Sequence, residues 1–330
     1  MIKSFNFFRI WGALAIFICH ITMGTIGGSV PLDLFFVLSG FGIYWGYADK
    51  VSEGKLTLRA FMKKRIKKVY FAYFIMTLVG WIYMTQICDY DIIRTTIKLP
   101  GHLLFLQPWV SGYSTAFNGA AWYVASLMWL YLFFYFLQQV GQKKANCYFI
   151  IYCLLYLSAT TLWQREIESS VFDLGHNPLT CFLYFYLGVK TADFYKKYPL
   201  KCSESVFTVL ECVLLIVMVF MTFLIEGSTP IANVVICLFF CLLYYVFAHE
   251  KGFVSKFFTK KVFSVLSSYT YYFYMIHYMV IMYTVHIFDL SEISFGQAVL
   301  LFVITSVLSF ALKKIEKVMM VRKIANYQIL

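Results

Sequence analysis

The sequence predicts an all-α integral membrane protein with about ten transmembrane helices and with both termini on the cytoplasmic side. Three observations predict this class: the 330-residue chain is 61% hydrophobic, only 13% of its residues are charged, and its mean hydropathy is +0.74. Soluble domains are nearer half apolar and a quarter charged, so a soluble globular protein is excluded. The formal net charge of +12 would indicate nucleic acid binding in a soluble protein. No nucleic acid partner is predicted here, because the basic residues sort by membrane side.

Ten apolar segments are predicted to cross the membrane, since a helix of about 20 residues spans about 30 Å of hydrocarbon. The first segment contains Arg9 and is followed by no small-residue cleavage pattern, so it is expected to be retained rather than removed as a signal peptide. In chain order the predicted spans are residues 5–23, 31–47, 69–88, 120–137, 147–162, 179–194, 206–225, 231–248, 265–287 and 296–312.

The Lys and Arg residues of the connecting loops predict how these spans are oriented. With a cytoplasmic N-terminus, the outer loops contain only Arg94, Lys98 and Arg165, and only Arg9 and Lys190 fall within spans. All other basic residues then lie on the inner side. Since cytoplasmic loops are enriched in Lys and Arg, this asymmetry favours an N-in, C-in topology.

The chain is predicted to form one membrane domain, residues 1–313, followed by a short cytoplasmic tail, residues 314–330. Residues 57–68 are basic, with apolar residues at helical spacing, and are predicted to form an amphipathic helix lying on the inner surface. Most of the nine cysteines fall in apolar spans, so buried thiols are expected rather than disulfides. No Cys or His spacing resembles a zinc site, and no metal is predicted.

Ionisable residues inside membrane spans are costly, which makes each of them a candidate functional residue. Arg9 and His20 occupy the first span, and their spacing places both on one helix face, roughly 16 Å apart along the axis. Asp33 opens the second span after a glycine-rich loop at residues 24–29. Its carboxylate is expected either to orient the His20 imidazole or only to interact with the helix dipole. The structural alternatives are snorkelling for Arg9 and a helix contact for His20.

Two further spans carry polar candidates. Ser39 and Gly40 form a small pair in the second span, which is typical of close helix packing. Tyr274 and His277 are three residues apart in the ninth span, so they share a helix face. His277 lies at mid-span, where an imidazole is expensive.

A cationic patch is predicted at the inner membrane surface. Arg65 and Lys68 are three residues apart, where the basic stretch meets the third span. Such a pair can hold phosphate groups. The alternative interpretation is attraction to anionic lipids.

Five segments of this chain, in order, resemble the membrane acyltransferase 3 family of O-acyltransferases over essentially its whole length. They are the Arg9-to-His20 spacing, the run at residues 33–41, the basic element at residues 65–70, the Trp122-Tyr123-Val124 segment, and Thr270-Tyr271 followed by Tyr274 and His277. The chain departs from the family pattern at Lys68, where a second arginine is usual. It also departs at Phe71, where proline is common, and at Thr270, where serine is usual. Leu127 occupies a position that is glutamate in some branches of the family.

The resemblance implies transfer of an acyl group, usually acetyl from cytoplasmic acetyl-CoA, to a hydroxyl group. The implied acceptors are cell-surface polysaccharides, lipid-linked sugars or related molecules, and the implied location is a bacterial plasma membrane with its lipids as partners. Acetyl-CoA would be a co-substrate, and no metal is expected. No fused esterase-like domain follows, so a separate extracytoplasmic protein is a possible partner in an acyl relay.

The resemblance also divides the candidate residues by role. The basic residues near the cytoplasm are expected to bind CoA phosphates: Arg9, Lys64, Arg65 and Lys68. The expected catalytic groups are His20, Asp33 and His277. Four residues are expected to position the acceptor: Ser39, Trp122, Tyr271 and Tyr274. His20, helped by Asp33, would act as general base or transient acyl carrier, and His277 with Tyr274 would position the acceptor or stabilise the oxyanion.

A secondary transporter or a lipid or glycan flippase is the alternative, because such proteins also place Arg, Asp and His near the membrane midplane. The lack of a detectable repeat between the two halves favours the enzyme. So does the crowding of ionisable groups into spans one to three and nine. A purely structural membrane subunit would account for the loops but not for Arg9, His20 and His277.

Overall fold

The computed structural model describes residues 2–24, 30–110, 117–162, 178–224 and 230–327, and these residues form helices and connecting turns without a strand. A π-helical turn, Tyr83–Ile87, continues the third helix, and a 3-10 turn, Gln107–Trp109, follows the fourth. The α-helices are α1 (Phe5–Ile21), α2 (Val30–Ser52), α3 (Leu58–Ile82), α4 (Ile92–Leu103), α5 (Ala121–Val140), α6 (Gln142–Leu162), α7 (Pro178–Lys197), α8 (Glu204–Leu224), α9 (Pro230–Phe247), α10 (Phe253–Phe258), α11 (Lys261–Ser267), α12 (Thr270–Ile287) and α13 (Phe295–Tyr327).

The predicted all-α class is confirmed, and each predicted span overlaps at least one helix. Within the described residues, five helices are long and apolar enough to cross a membrane: Val30–Ser52, Leu58–Ile87, Ala121–Val140, Glu204–Phe223 and Phe295–Met320. Phe5–Ile21 and Val234–Phe247 are shorter apolar helices. The count of ten spans and the N-in, C-in orientation stay predictions.

Two segments differ from the sequence prediction. The basic stretch at residues 57–68 is not a separate surface helix, because α3 runs without a break from Leu58 to Ile82. The Thr57 side chain caps this helix by accepting a hydrogen bond from the Ala60 N–H at 3.4 Å. The ninth predicted span is two helices, α11 and α12, separated at Ser268 and Tyr269. Of the predicted glycine-rich loop, residues 25–29 lie outside the described residues.

The segments predicted to be cytoplasmic meet at one end of the helix bundle, which we call the basic end (residues 2–4, 49–68, 141–146, 196–204 and 249–261). The start of α1 meets the turn after α9, and the start of α3 meets the end of α5. Lys196 pairs with Asp49 at 2.8 Å, and Lys256 pairs with Glu204 at 2.6 Å. These five segments therefore lie at one end of the bundle. The side of the membrane that this end faces stays a prediction.

Helix α2 lies at the centre, packed against α1, α5, α7 and α9, and its tightest contact is with α7. A Cβ atom added to Gly40 would lie 1.8 Å from the Phe185 carbonyl oxygen, and one added to Gly188 would lie 2.1 Å from that of Val37. No carbon can approach an oxygen so closely, so only glycine allows the two backbones to cross here. The packing role predicted for Gly40 is confirmed.

We expect Gly40→Ala to lower the thermal stability of the detergent-purified protein, because over-packing a core costs about 1–3 kcal/mol and the obstacle here is backbone. Gly42→Ala, two residues along the same helix, is the matched control, because nothing lies within 4 Å of a Cβ at Gly42. The measurement is the temperature at which half of each variant is lost from the monodisperse peak on size-exclusion chromatography. Equal temperatures for the two variants would contradict the close crossing.

Candidate functional site

Two histidines from distant parts of the chain meet between α1 and α12. The ring centroids of His20 and His277 are 5.2 Å apart, and the Tyr278 ring lies 5.1 Å from that of His20. His277 is completely buried, whereas His20 is partly exposed. The two imidazoles therefore form one polar centre in an apolar surrounding, with His20 as the member that a ligand can reach.

The hydrogen bonding of His277 fixes which of its nitrogens is free to accept a proton. Its Nδ1 lies 2.6 Å from the Tyr274 carbonyl oxygen, so Nδ1 carries the hydrogen and donates it to that carbonyl. Nε2 then carries the lone pair, and it is buried without a hydrogen-bond partner among the described residues. A neutral imidazole held in this tautomer can act as a proton acceptor.

Asp33 is buried on α2, but no hydrogen bond between described residues joins it to His20. Its carboxylate lies within electrostatic range of the Cys181 and Cys237 thiols, on α7 and α9. The expected assistance of His20 by Asp33 is therefore not seen in the described part of the chain, where the rings of His277 and Tyr278 are the neighbours of His20.

Three cations converge nearer the basic end. Lys68 lies within electrostatic range of both Arg9 and Arg65, which brings α1 and α3 together. Among the described residues, none of the three forms an ion pair with a carboxylate. Lys64 is exposed, and no described contact joins it to them. We call Arg9, Arg65 and Lys68 the cation cluster.

Aromatic side chains rather than carboxylates surround the cation cluster. The Arg65 guanidinium lies 4.4 Å from the ring centroid of Tyr47 and 5.6 Å from that of Tyr131, and its Nη2 donates to the Tyr47 hydroxyl. The Arg65 Nε is buried without a hydrogen-bond partner among the described residues. Arg9 donates to the Asn6 side-chain oxygen at 3.0 Å. The guanidinium groups thus retain donors and positive charge for an anion.

The residues predicted to position the acceptor hold the helices in place in the structure. The Tyr274 hydroxyl donates to the Ala120 carbonyl at 2.8 Å, and the Tyr271 hydroxyl donates to the Val69 carbonyl at 2.6 Å. Ser39 and Tyr123 share a hydrogen bond of 3.1 Å between their hydroxyls. Trp122 is buried, with its ring 6.2 Å from that of Phe36. The hydroxyls of Tyr271 and Tyr274 therefore already donate hydrogen bonds to backbone carbonyls. Tyr274 also orients the His277 ring, through its own backbone carbonyl.

Helix α1, which carries both Arg9 and His20, is anchored at its start by a residue that the sequence reasoning missed. A carboxylate oxygen of Glu250 accepts the backbone N–H groups of Lys3 at 2.5 Å and of Ser4 at 2.8 Å. The Ser4 hydroxyl donates to the Phe247 carbonyl at 2.8 Å. A carboxylate at a helix N-terminus satisfies donors that have no partner inside the helix. Glu250 therefore fixes the depth of α1 in the bundle.

The family model described as an acyltransferase domain matches residues 2–314, which is nearly the whole chain. No curated protein and no solved structure matches the chain.

We expect Glu250→Ala to cost about 0.5–2 kcal/mol of stability, as for the loss of a helix N-cap. Activity should also fall, because α1 carries residues of both polar centres. Glu53→Ala is the control, since Glu53 is exposed and contacts only Lys55 among the described residues. The loss of stability is measured by thermal melting of the protein in detergent. Unchanged melting for Glu250→Ala would show that the anchor does not hold α1.

Proposed function

The chain belongs to the acyltransferase 3 family and is thus a membrane-type acyltransferase, and we propose that it moves an acetyl group from acetyl-CoA to a hydroxyl group. The acceptor in this proposal is a cell-surface polysaccharide, a lipid-linked sugar or a related molecule. One observation carries the proposal. A single helix, α1, connects the cation cluster, which has no carboxylate partner among the described residues, to the pair formed by His20 and His277.

The cation cluster suits the donor substrate because CoA carries several phosphate charges. The Arg65 guanidinium lies 4.4 Å from the centroid of the Tyr47 ring, and its buried Nε has no hydrogen-bond partner among the described residues, so it keeps a donor for a phosphate oxygen. Charge-assisted hydrogen bonds from guanidinium to phosphate are among the strongest available to a protein. Lys68 contributes a point charge where the family usually has arginine. In this chain, a bidentate pair of hydrogen bonds to a phosphate would therefore come from Arg65 alone.

The histidine pair suits proton removal from the acceptor. The acceptor O–H bond breaks as its proton passes to an imidazole nitrogen of His20, and the oxygen forms a bond to the thioester carbonyl carbon. The C–S bond then breaks, and the departing CoA sulfur takes the proton. His277 Nε2, which has no described partner, can share the proton that His20 holds.

The proposed orientation brings the two substrates to this helix from opposite sides. If the basic end is cytoplasmic, the cation cluster lies nearer the compartment that contains acetyl-CoA. His20 lies roughly 16 Å further along α1, toward the side of a surface acceptor. A bacterial plasma membrane and a separate extracytoplasmic relay protein belong to the same proposal.

His20→Ala and His277→Ala should each reduce acetyl transfer by about 10²–10⁴-fold, the usual contribution of a positioned acid or base. His286→Ala is the control, because His286 lies on the same helix as His277 but is exposed near its far end. Membranes containing each variant are supplied with labelled acetyl-CoA, and label in surface glycans and released CoA are counted. Wild-type transfer by a normally expressed His20→Ala variant would overturn the base assignment. A transporter would release no CoA.

Arg65→Ala combined with Lys68→Ala should weaken acetyl-CoA binding about 10-fold or more, since a hydrogen bond to a charged group contributes about 1.5–3 kcal/mol. Lys67→Ala is the control, because Lys67 is on the same helix but no described contact joins it to Arg9 or Arg65. Binding is measured by isothermal titration on protein in detergent. The His20→Ala variant should bind the donor normally, so loss of binding and loss of chemistry can be separated. An affinity unchanged in the double variant would remove the phosphate role.

A further inference from the structure

A cavity lies between α6, α7 and α9 at the basic end, with a volume of about 680 Å³. None of the residues that form the cation cluster or the histidine pair lines it. Its polar wall includes Lys143, Lys190 and Lys197, and its apolar wall includes Phe194, Leu238 and Leu242. We call this cavity the lysine groove.

The lysine groove has an excess of positive charge. Its acidic residue, Asp193, is buried and already accepts hydrogen bonds from Tyr44 at 2.5 Å, Gln142 at 2.5 Å and Lys197 at 2.9 Å. Lys190 donates to the Asn146 side-chain oxygen at 2.8 Å and is 3.9 Å from Asp193. Among the described residues, the groove therefore contains three lysines and one carboxylate, which pairs with Lys190 and Lys197, so the groove is electrostatically suited to an anion.

The apolar wall opens sideways from the bundle. Phe194, Leu238 and Leu242 are 51%, 53% and 51% exposed, and they lie on α7 and α9 rather than on a connecting loop. In a membrane, this wall faces the acyl chains of lipid. Lys197 is the last residue of α7, and Lys143 is the second residue of α6, so both lie where headgroups would be.

Lys190 connects the two walls. It is seven residues before Lys197, which is two helical turns or roughly 10 Å deeper, on nearly the same face of α7. Only 30% of its side chain is exposed, and its ammonium group points to Asn146 and Asp193, both of which are closer to the basic end. A buried stem with its charge turned toward the headgroup level is the geometry of a snorkelling lysine.

We propose that the lysine groove binds one anionic phospholipid. Its phosphate contacts Lys143, Lys190 and Lys197, and one acyl chain lies against Leu238 and Leu242. The charge excess selects an anion, and the exposed apolar wall selects one that carries an acyl chain. The bound lipid would fill the gap between α6 and α9 and press on α7, the helix that crosses α2.

The test is native mass spectrometry of the full chain in detergent, titrated with dioleoylphosphatidylglycerol or with dioleoylphosphatidylcholine. Wild type should retain the anionic lipid in preference to the zwitterionic one. Lys143→Gln combined with Lys190→Gln should weaken that binding about 25-fold, because each lysine near an anionic headgroup contributes about five-fold to the affinity. Lys190→Gln removes the 3.9 Å ion pair with Asp193, but the three hydrogen bonds that Asp193 accepts from Tyr44, Gln142 and Lys197 remain. Lys260→Gln with Lys261→Gln is the control, because both are exposed at the basic end outside the groove.

A second variant tests the apolar wall without changing charge. Leu238→Trp should fill the groove and displace phosphatidylglycerol, whereas Val213→Trp, at an exposed position on α8, should not. Equal binding of the two lipids by wild type would overturn the proposal, as would wild-type affinity in the double lysine variant. Displacement of the lipid by glycerol 3-phosphate at equal concentration would overturn it too, because the site would then recognise a soluble phosphate rather than a lipid.

Discussion

The crossing of α2 and α7 at Gly40 and Gly188 is the constraint on which the rest of the bundle depends. Each glycine lies against a carbonyl oxygen of the other helix, so neither helix can shift outward without opening the centre of the protein. Helix α2 also carries Tyr47, whose ring lies beside the Arg65 guanidinium, and Ser39, whose hydroxyl shares a hydrogen bond with that of Tyr123. The backbone contact therefore sets where the aromatic wall of the cation cluster can lie.

Charge inside this bundle is balanced in two ways. Glu250 and Glu211 accept backbone N–H groups, so each negative charge stabilises a turn or a helix start. The cation cluster has no such arrangement, since aromatic rings and an asparagine oxygen are its described partners. Positive charges without counterions are costly in or beside a membrane span. On the proposed function, the phosphates of the donor would supply the missing charge.

The helices could be predicted from sequence because an apolar span is a local signal. Arg9, His20, Arg65 and His277 could be singled out because each is an ionisable group in or beside such a span. The contacts between them could not. His20 and His277 lie at opposite ends of the chain, and no spacing rule joins residues that are so far apart. Nearness in sequence predicts that Asp33 lies beside His20, whereas in the folded chain its described electrostatic neighbours are thiols on α7 and α9. Glu250 carries no motif, since it acts through backbone groups of α1.

The continuity of α3 has a kinetic consequence. A separate surface helix could swing away as a unit, and donor exchange would then follow a slow collective motion. Because Arg65 and Lys68 lie on the same rigid helix as the Val69 carbonyl that Tyr271 holds, that hinge is absent from the helix. On the proposed function, donor exchange would instead depend on the side-chain torsions of Arg65 and Lys68, which rotate on far shorter timescales than a domain opens. Residence of the donor would then be set by how long these two side chains keep their hydrogen bonds to its phosphates.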